Sequence, residues 1–170
     1  KTLLDFIVCR GLNDSMIEWC EGDLFDSQFL EDSIKGCSRV YHAAAVVSFH
    51  PKDAKMLMRV NRDATEVLVN AMLHVGVREL VHVSSVAALG RAQGQPVHEE
   101  IPFESGPDVT AYAQSKFESE LQVWRGQEEG LNVLTVNPTI IIGEGDFNRS
   151  SSELFLMVYN GMQWYPRGSN

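Results

Sequence analysis

Three observations predict an α/β chain built on a parallel sheet. Short β-branched runs alternate with longer runs whose apolar residues recur at helical spacing. Most helix-like runs end on a glycine, as left-handed helix stops require. The residues able to do chemistry fall at or just past the ends of the strand-like runs. Strands joined by helical crossovers imply a doubly wound parallel sheet with helices on both faces. Ligands of such sheets bind beyond the carboxyl ends of the strands.

Each element has its own local reason. Residues 1–9 (KTLLDFIVC) read as helix, with Gly11 as the stop. SMIEWC, residues 15–20, reads as a strand. Asp26 is placed to cap a helix over 27–35, with Gly36 beyond its end. RVYHAAA, residues 39–45, reads as a buried strand. Pro51 suits the first turn of a long helix over 52–75. Met56, Val60, Ala64, Val67, Leu68, Ala71 and Val75 form its apolar stripe, and Gly76 ends it. ELVHVSS, residues 79–85, is a third strand. A Gly/Pro-rich loop over about 90–109 is long enough to be functional. A helix over 110–129 follows, stopped by Gly130, then the strand 132–137, closed by Pro138. The loop 143–150 leads into a last helix near 151–161.

The formal charge is −9, from 23 acidic against 14 basic residues. That surface repels phosphate backbones, and no basic stripe interrupts it, so nucleic acid is not an expected partner. The apolar runs are too short to cross a bilayer and no signal-peptide pattern is present, so no membrane partner is expected. Cys9, Cys20 and Cys37 lack metal-like spacing. They read as reduced, partly buried residues of a cytoplasmic protein. His42 and His82 sit inside strand patterns and read as core histidines. His50, His74 and His98 offer no metal geometry. Trp19, Trp124 and Trp164 read as packing residues.

Tyr112 and Lys116 carry the chemistry. Four residues apart on one helix, they project from the same face. A cation beside a phenol favours the phenolate, and a phenol so tuned can exchange a proton with a carbonyl or alcohol. Ser85, at the end of a neighbouring strand, can hold that same oxygen. The spacing alone arises by accident roughly one time in eight in a chain of this composition, so context decides.

That context resembles the extended short-chain dehydrogenase/reductase family, whose branches include nucleotide-sugar epimerases, dihydroflavonol reductases and 3β-hydroxysteroid dehydrogenases. The likeness runs over nearly the whole chain in the family's order: WCEGDLFD, VYHAAA, VNRDAT, VHVSSVAALG, AYAQSK and VNPTIIIGEGD. Counting back from Gly90, Ser85 rather than Ser84 falls on the catalytic serine. Ala64 stands where the family's Asn-x-x-Gly-Thr helix has glycine.

The resemblance implies a Rossmann-like fold that binds NAD or NADP. It implies a catalytic Ser85, Tyr112 and Lys116, the last also reaching nicotinamide ribose hydroxyls. Asp23 and Leu24 would lie near the adenine. Ala43, Ala44, Ala45 and Ser84 would line the cofactor, with Asn61 on the long helix and Pro138 against the nicotinamide. Each has a plainer reading as well. Asp23 is a turn former, the alanines allow close packing, Asn61 is a solvated polar position, and Pro138 ends a strand. Family members often dimerise through the helices equivalent to 52–75 and 110–129.

One departure matters. No G-x-x-G-x-x-G occurs anywhere, although the family holds the cofactor pyrophosphate on such a turn. The acidic or basic residue that usually separates NAD from NADP is missing as well. With Lys at position 1 and WYPRGSN at the end, the chain reads as a piece of a longer polypeptide, without the N-terminal βαβ unit and most of the substrate subdomain. Residues 1–150 would be a partial dinucleotide-binding domain and 151–170 the start of the substrate region. Met157, Tyr159, Met162, Trp164 and Tyr165 suit either a pocket or a core.

The segment HAAAVVSFHPKD is similar to that of dihydroflavonol reductases, which implies a reductase or dehydrogenase acting on a small hydroxy or keto compound. A nucleotide-sugar epimerase or dehydratase comes second. Only Arg149 and Arg167 could meet a diphosphate, and Val86 and Ala87 follow Ser85 where dehydratases often carry Asp-Glu. A non-catalytic dinucleotide sensor comes third, because such proteins often lose the Tyr or the Lys.

Overall fold

The computed structural model describes residues 11, 13–91, 96–141 and 156–161. The chain divides into two compact units: Gly22–Thr139, and a second drawn from Lys1–Glu21 and Ile140–Ser169. The expected helix over 1–9, the loop 143–150, and Cys9, Arg149, Met162, Trp164, Tyr165 and Arg167 lie outside the described residues.

The larger unit holds a three-stranded parallel sheet in the order β1 (Arg39–His42), β2 (Glu79–Val83), β3 (Asn132–Val136). Register pairs Val40 with Leu80 and Leu80 with Val133; one step along, Tyr41, Val81 and Leu134 align. Alternation then separates two faces. Leu80 and His82 are buried on one, whereas Tyr41 and Leu134 are exposed on the other. The ladder continues past β2, where Ser84 N donates to Val136 O at 2.8 Å and Val86 N to Pro138 O at 3.0 Å.

Helix α1 (Ser27–Ile34) starts where Asp26 Oδ1 accepts from Phe29 N at 3.1 Å. A 3-10 turn at Pro51–Asp53 leads into α2 (Ala54–Leu57), a wide π turn at Met58–Asp63, and α3 (Ala64–Val75), which Gly76 ends at φ +80°. Thr110 Oγ1 caps α4 (Ala111–Glu128) by accepting from Ala113 N at 3.1 Å. Leu30 and Ile34 of α1, Leu68, Val69 and Met72 of α3, Leu80 of β2 and Val123 of α4 make one core. Helix α4 approaches α3 closely at Gly126, where a Cβ would lie 2.7 Å from Val69 Cγ1.

Four expectations are corrected. Residues 15–20 form no strand: Asp14–Met16 is a 3-10 turn and 17–20 are irregular. A strand needs a ladder partner, and among the described residues none pairs with this segment. β1 ends at His42, so Ala43, Ala44 and Ala45 are exposed connectors rather than buried strand. The long helix is interrupted by its π turn, whose extra residue shifts the buried stripe: Leu57 and Asn61 are buried where Met56 and Val60 were expected. Cys20 and Cys37 are free and exposed, not partly buried, and Trp19 is exposed too. Of the expected last helix, residues 156–159 are helical, and Met157 and Tyr159 are exposed.

Candidate active site

The carboxyl ends of β2 and β3 meet α4 through a set of buried polar groups. Lys116, one turn after Tyr112, is only 2% exposed, and its Nζ donates to Val83 O at 3.0 Å. That bond draws the ammonium to the end of β2, two residues before Ser85. Burial pushes the Lys116 ammonium below its ordinary value, and the Glu120 carboxylate one turn on works the other way.

Ser85 starts the turn Val86–Ala88, its Oγ accepting from Ala87 N at 3.2 Å. Gly90 closes that segment so tightly against the loop that a Cβ there would sit 2.2 Å from Pro102 O. Tyr112 is partly buried in the first turn of α4, its ring edge-on to Phe49 at 5.9 Å between centroids. Among the described residues no hydrogen bond joins the Tyr112 hydroxyl to Ser85 or Lys116. The backbone arrangement, not a closed side-chain triad, is what the chain itself supplies.

Asn61 is buried rather than solvated. Its Oδ1 accepts from Val46 N at 2.8 Å, and its Nδ2 donates to Val46 O and to Ser115 Oγ, both at 2.9 Å. It therefore pins the segment after β1 to α4, and Ser115 Oγ passes the link to Tyr112 O at 2.8 Å. Thr65 Oγ1 donates to Asn61 O and lies 2.9 Å from both His42 Nε2 and Ser119 Oγ. The His42 and His82 rings pack 5.3 Å apart. Burial, helped by the Lys116 charge, lowers His42 to about 4 and His82 to about 3, so both are neutral at neutral pH.

Asp23 stays within its own turn, its Oδ1 accepting from Phe25 N at 3.0 Å. Among the described residues no hydrogen bond joins Asp23 to Ser85, Tyr112 or Lys116. Sequence reasoning missed Glu120 and Asn137. Glu120 is buried at 1% exposure, and its Oε1 accepts from Asn137 Nδ2 at 2.6 Å, while Nδ2 also donates to Ser85 O at 3.1 Å. Only the Asn-Pro dipeptide at a strand end, among the resemblance motifs, hinted at the second. A cavity of about 400 Å³ behind α4 has Phe103, Phe117 and Trp124 on its walls with Glu120 and Asn137. Ser85, Tyr112 and Lys116 do not line it. Among the described residues no group of acidic, His or Cys side chains suits a metal ion, and no helix is long and apolar enough to cross a membrane.

Residues 6–163 match the model of the NAD-dependent epimerase/dehydratase family. The chain belongs to that family. It is similar to the sterol demethylase protein B of Methylococcus capsulatus, 38% identical over 82% of this chain and 43% of the relative. It is likewise similar to a Synechocystis protein that carries a dihydroflavonol 4-reductase name, 32% identical over 80% of this chain and 40% of that protein. A short-chain dehydrogenase/reductase superfamily structure from Agrobacterium tumefaciens, solved with bound NAD, superposes with a TM-score of 0.63 at 26% identity. That match covers 79% of this chain and 44% of the other. The chain thus spans less than half the length of these relatives. It is a member of the extended short-chain dehydrogenase/reductase family with a Rossmann-like parallel sheet.

NAD is the family's cofactor. Ser84, 5% exposed at the end of β2, has a buried Oγ with no hydrogen-bond partner. Ala43, Ala44 and Ala45, just past β1, are exposed.

Proposed function

We propose that the protein is an NAD(P)-dependent reductase or dehydrogenase acting on a carbonyl or alcohol, with Ser85, Tyr112 and Lys116 handling the proton. The observation that carries this reading is Lys116 itself. A lysine buried to 2% exposure and bonded to the end of β2 is costly unless its charge is used, and it lies one turn from a phenol. Tyr112 donates its phenolic proton to the substrate oxygen in reduction and takes it back in oxidation. Lys116 supplies positive charge beside that exchange, and Ser85 Oγ holds the substrate oxygen by a hydrogen bond. The bound cofactor supplies the hydride.

Ala43, Ala44, Ala45, Ser84 and Pro138 would line the nicotinamide half, and Asp23 and Leu24 the adenine half. Asn61 acts one step back, by fixing the segment at Val46. The similarity to a dihydroflavonol-reductase-named protein favours a small ketone or hydroxy compound as substrate.

The test takes the full-length protein and follows NADH and NADPH oxidation with ketones, aldehydes and nucleotide sugars, with Tyr112→Phe as control. Stoichiometric cofactor consumption, lost by 10²-fold or more in Tyr112→Phe, is expected. Sugar isomerisation without net consumption would favour the epimerase reading. Equal rates in variant and parent would remove the mechanism.

A further inference from the structure

We propose that Glu120 is a positioning residue for this site: it fixes Ser85 through the Asn137 amide and sets the charge environment of Lys116. The inference rests on the assignment of Ser85, Tyr112 and Lys116 above. A carboxylate is retained at 1% exposure only where hydrogen bonds and opposite charge compensate its lost hydration. Both are present. Asn137 Nδ2 carries two N–H groups; one meets Glu120 Oε1 at 2.6 Å and the other Ser85 O at 3.1 Å. Ser85 O also accepts from Ala88 N at 2.9 Å, the bond that closes the turn.

A carboxylate accepts only, so Glu120 selects the Asn137 orientation with nitrogen toward it. The flipped amide would set its oxygen against both Glu120 and the Ser85 carbonyl. Ser85 O and Glu120 Oε1 therefore select the same amide orientation, and Glu120 anchors it from α4, one turn past Lys116.

The same carboxylate faces Lys116. Among the described residues, the charged or titratable groups that interact with that lysine are Glu120 on α4, His42 on β1 and His82 on β2, with Tyr112 one turn before it on α4. Both histidines are neutral at neutral pH and disfavoured by the ammonium. Glu120 is thus the anion of the set, and its charge raises the Lys116 pKa against the burial that lowers it.

Two readouts on the full-length protein test this without a substrate. In the first, the Lys116 signal of ¹³Cε-lysine-labelled protein, assigned with Lys116→Arg, is titrated by NMR. Glu120→Gln should lower the Lys116 pKa, Glu120→Asp should restore most of it, and Asn137→Ala should leave it in place. In the second, amide hydrogen exchange is followed at Ala88 relative to Met72 in α3. Asn137→Ala and Glu120→Ala should speed Ala88 exchange at least tenfold beyond any change at Met72, whereas Glu120→Gln, which keeps an acceptor, should protect it. A Lys116 titration indifferent to Glu120→Gln, or Ala88 exchange indifferent to Asn137→Ala, overturns the proposal. If Glu120→Ala does not fold, the Gln, Asp and Asn137 variants still decide. Equal turnover in Tyr112→Phe and parent would remove the site assignment while leaving both readouts intact. A dead Tyr112→Phe with both readouts flat would remove only the positioning role.

Discussion

Acidification should destabilise this protein through its histidine pair before its carboxylates titrate. His42 and His82 are almost fully buried, packed ring to ring at 5.3 Å, with Lys116 nearby. Their folded values, about 4 and about 3, lie below the ordinary 6.5, so the unfolded chain binds protons that the native state refuses. Stability therefore rises with pH where the unfolded state holds more protons. It is complete above about pH 6.5 and is lost as pH falls toward 4. Each proton is worth about 1.4 kcal/mol per pH unit, so at pH 5 each ring has cost about 2 kcal/mol and the pair about 4. That is a large share of the 5–15 kcal/mol typical of a domain. Urea titrations of the full-length protein at pH 7.5 and 5.0 measure it, and stopping at 5.0 keeps most carboxylates ionised. The His42→Gln/His82→Gln double variant should be less stable throughout but nearly flat over this window. A parent protein whose unfolding free energy is the same at both pH values would refute the argument.

Two further outcomes follow from single features. Gly126→Val should lower the urea-derived stability by about 1–3 kcal/mol, because its Cβ would press on Val69 Cγ1 from 2.7 Å and on Leu131 Cδ1 from 3.0 Å. An unchanged midpoint would mean that α3 and α4 separate freely there. The 170-residue chain, which has no G-x-x-G-x-x-G turn to cradle a pyrophosphate, should show no saturation by NAD at micromolar concentrations in isothermal titration calorimetry. Micromolar affinity would show that the residues proposed for the nicotinamide half bind without that cradle.

What could be read from the sequence was local chemistry. Asp26 as a cap, Gly36, Gly76 and Gly130 as left-handed stops, and the helix holding Tyr112 and Lys116 all follow from neighbours within a turn. The failures share a different cause. Residues 15–20 have strand composition, but a strand exists only against a partner. The π turn leaves no mark, because an apolar stripe continues on either side of it while its register slips by one residue, from Met56 and Val60 to Leu57 and Asn61. Asn137 and Glu120 look like ordinary polar residues until they meet across 17 residues of chain.

Helix α4 shows most sharply why the site was only half visible. Its buried positions are Ser115, Lys116, Ser119, Glu120, Val123 and Gly126, a stripe at helical spacing but largely polar. Binary patterning assigns such a stripe to solvent and turns Phe117 and Trp124 inward. The structure reverses this, leaving Trp124 44% exposed and Ser115 fully buried. An inner face of that polarity is tenable because each group meets a partner from a distant segment: Ser115 meets Asn61, Ser119 meets Thr65, Lys116 meets Val83 O and Glu120 meets Asn137. An apolar face would pack at lower cost, so the polarity needs another reason. Its first-turn end carries Tyr112, and its next turn brings an ammonium to Val83 O at the end of β2.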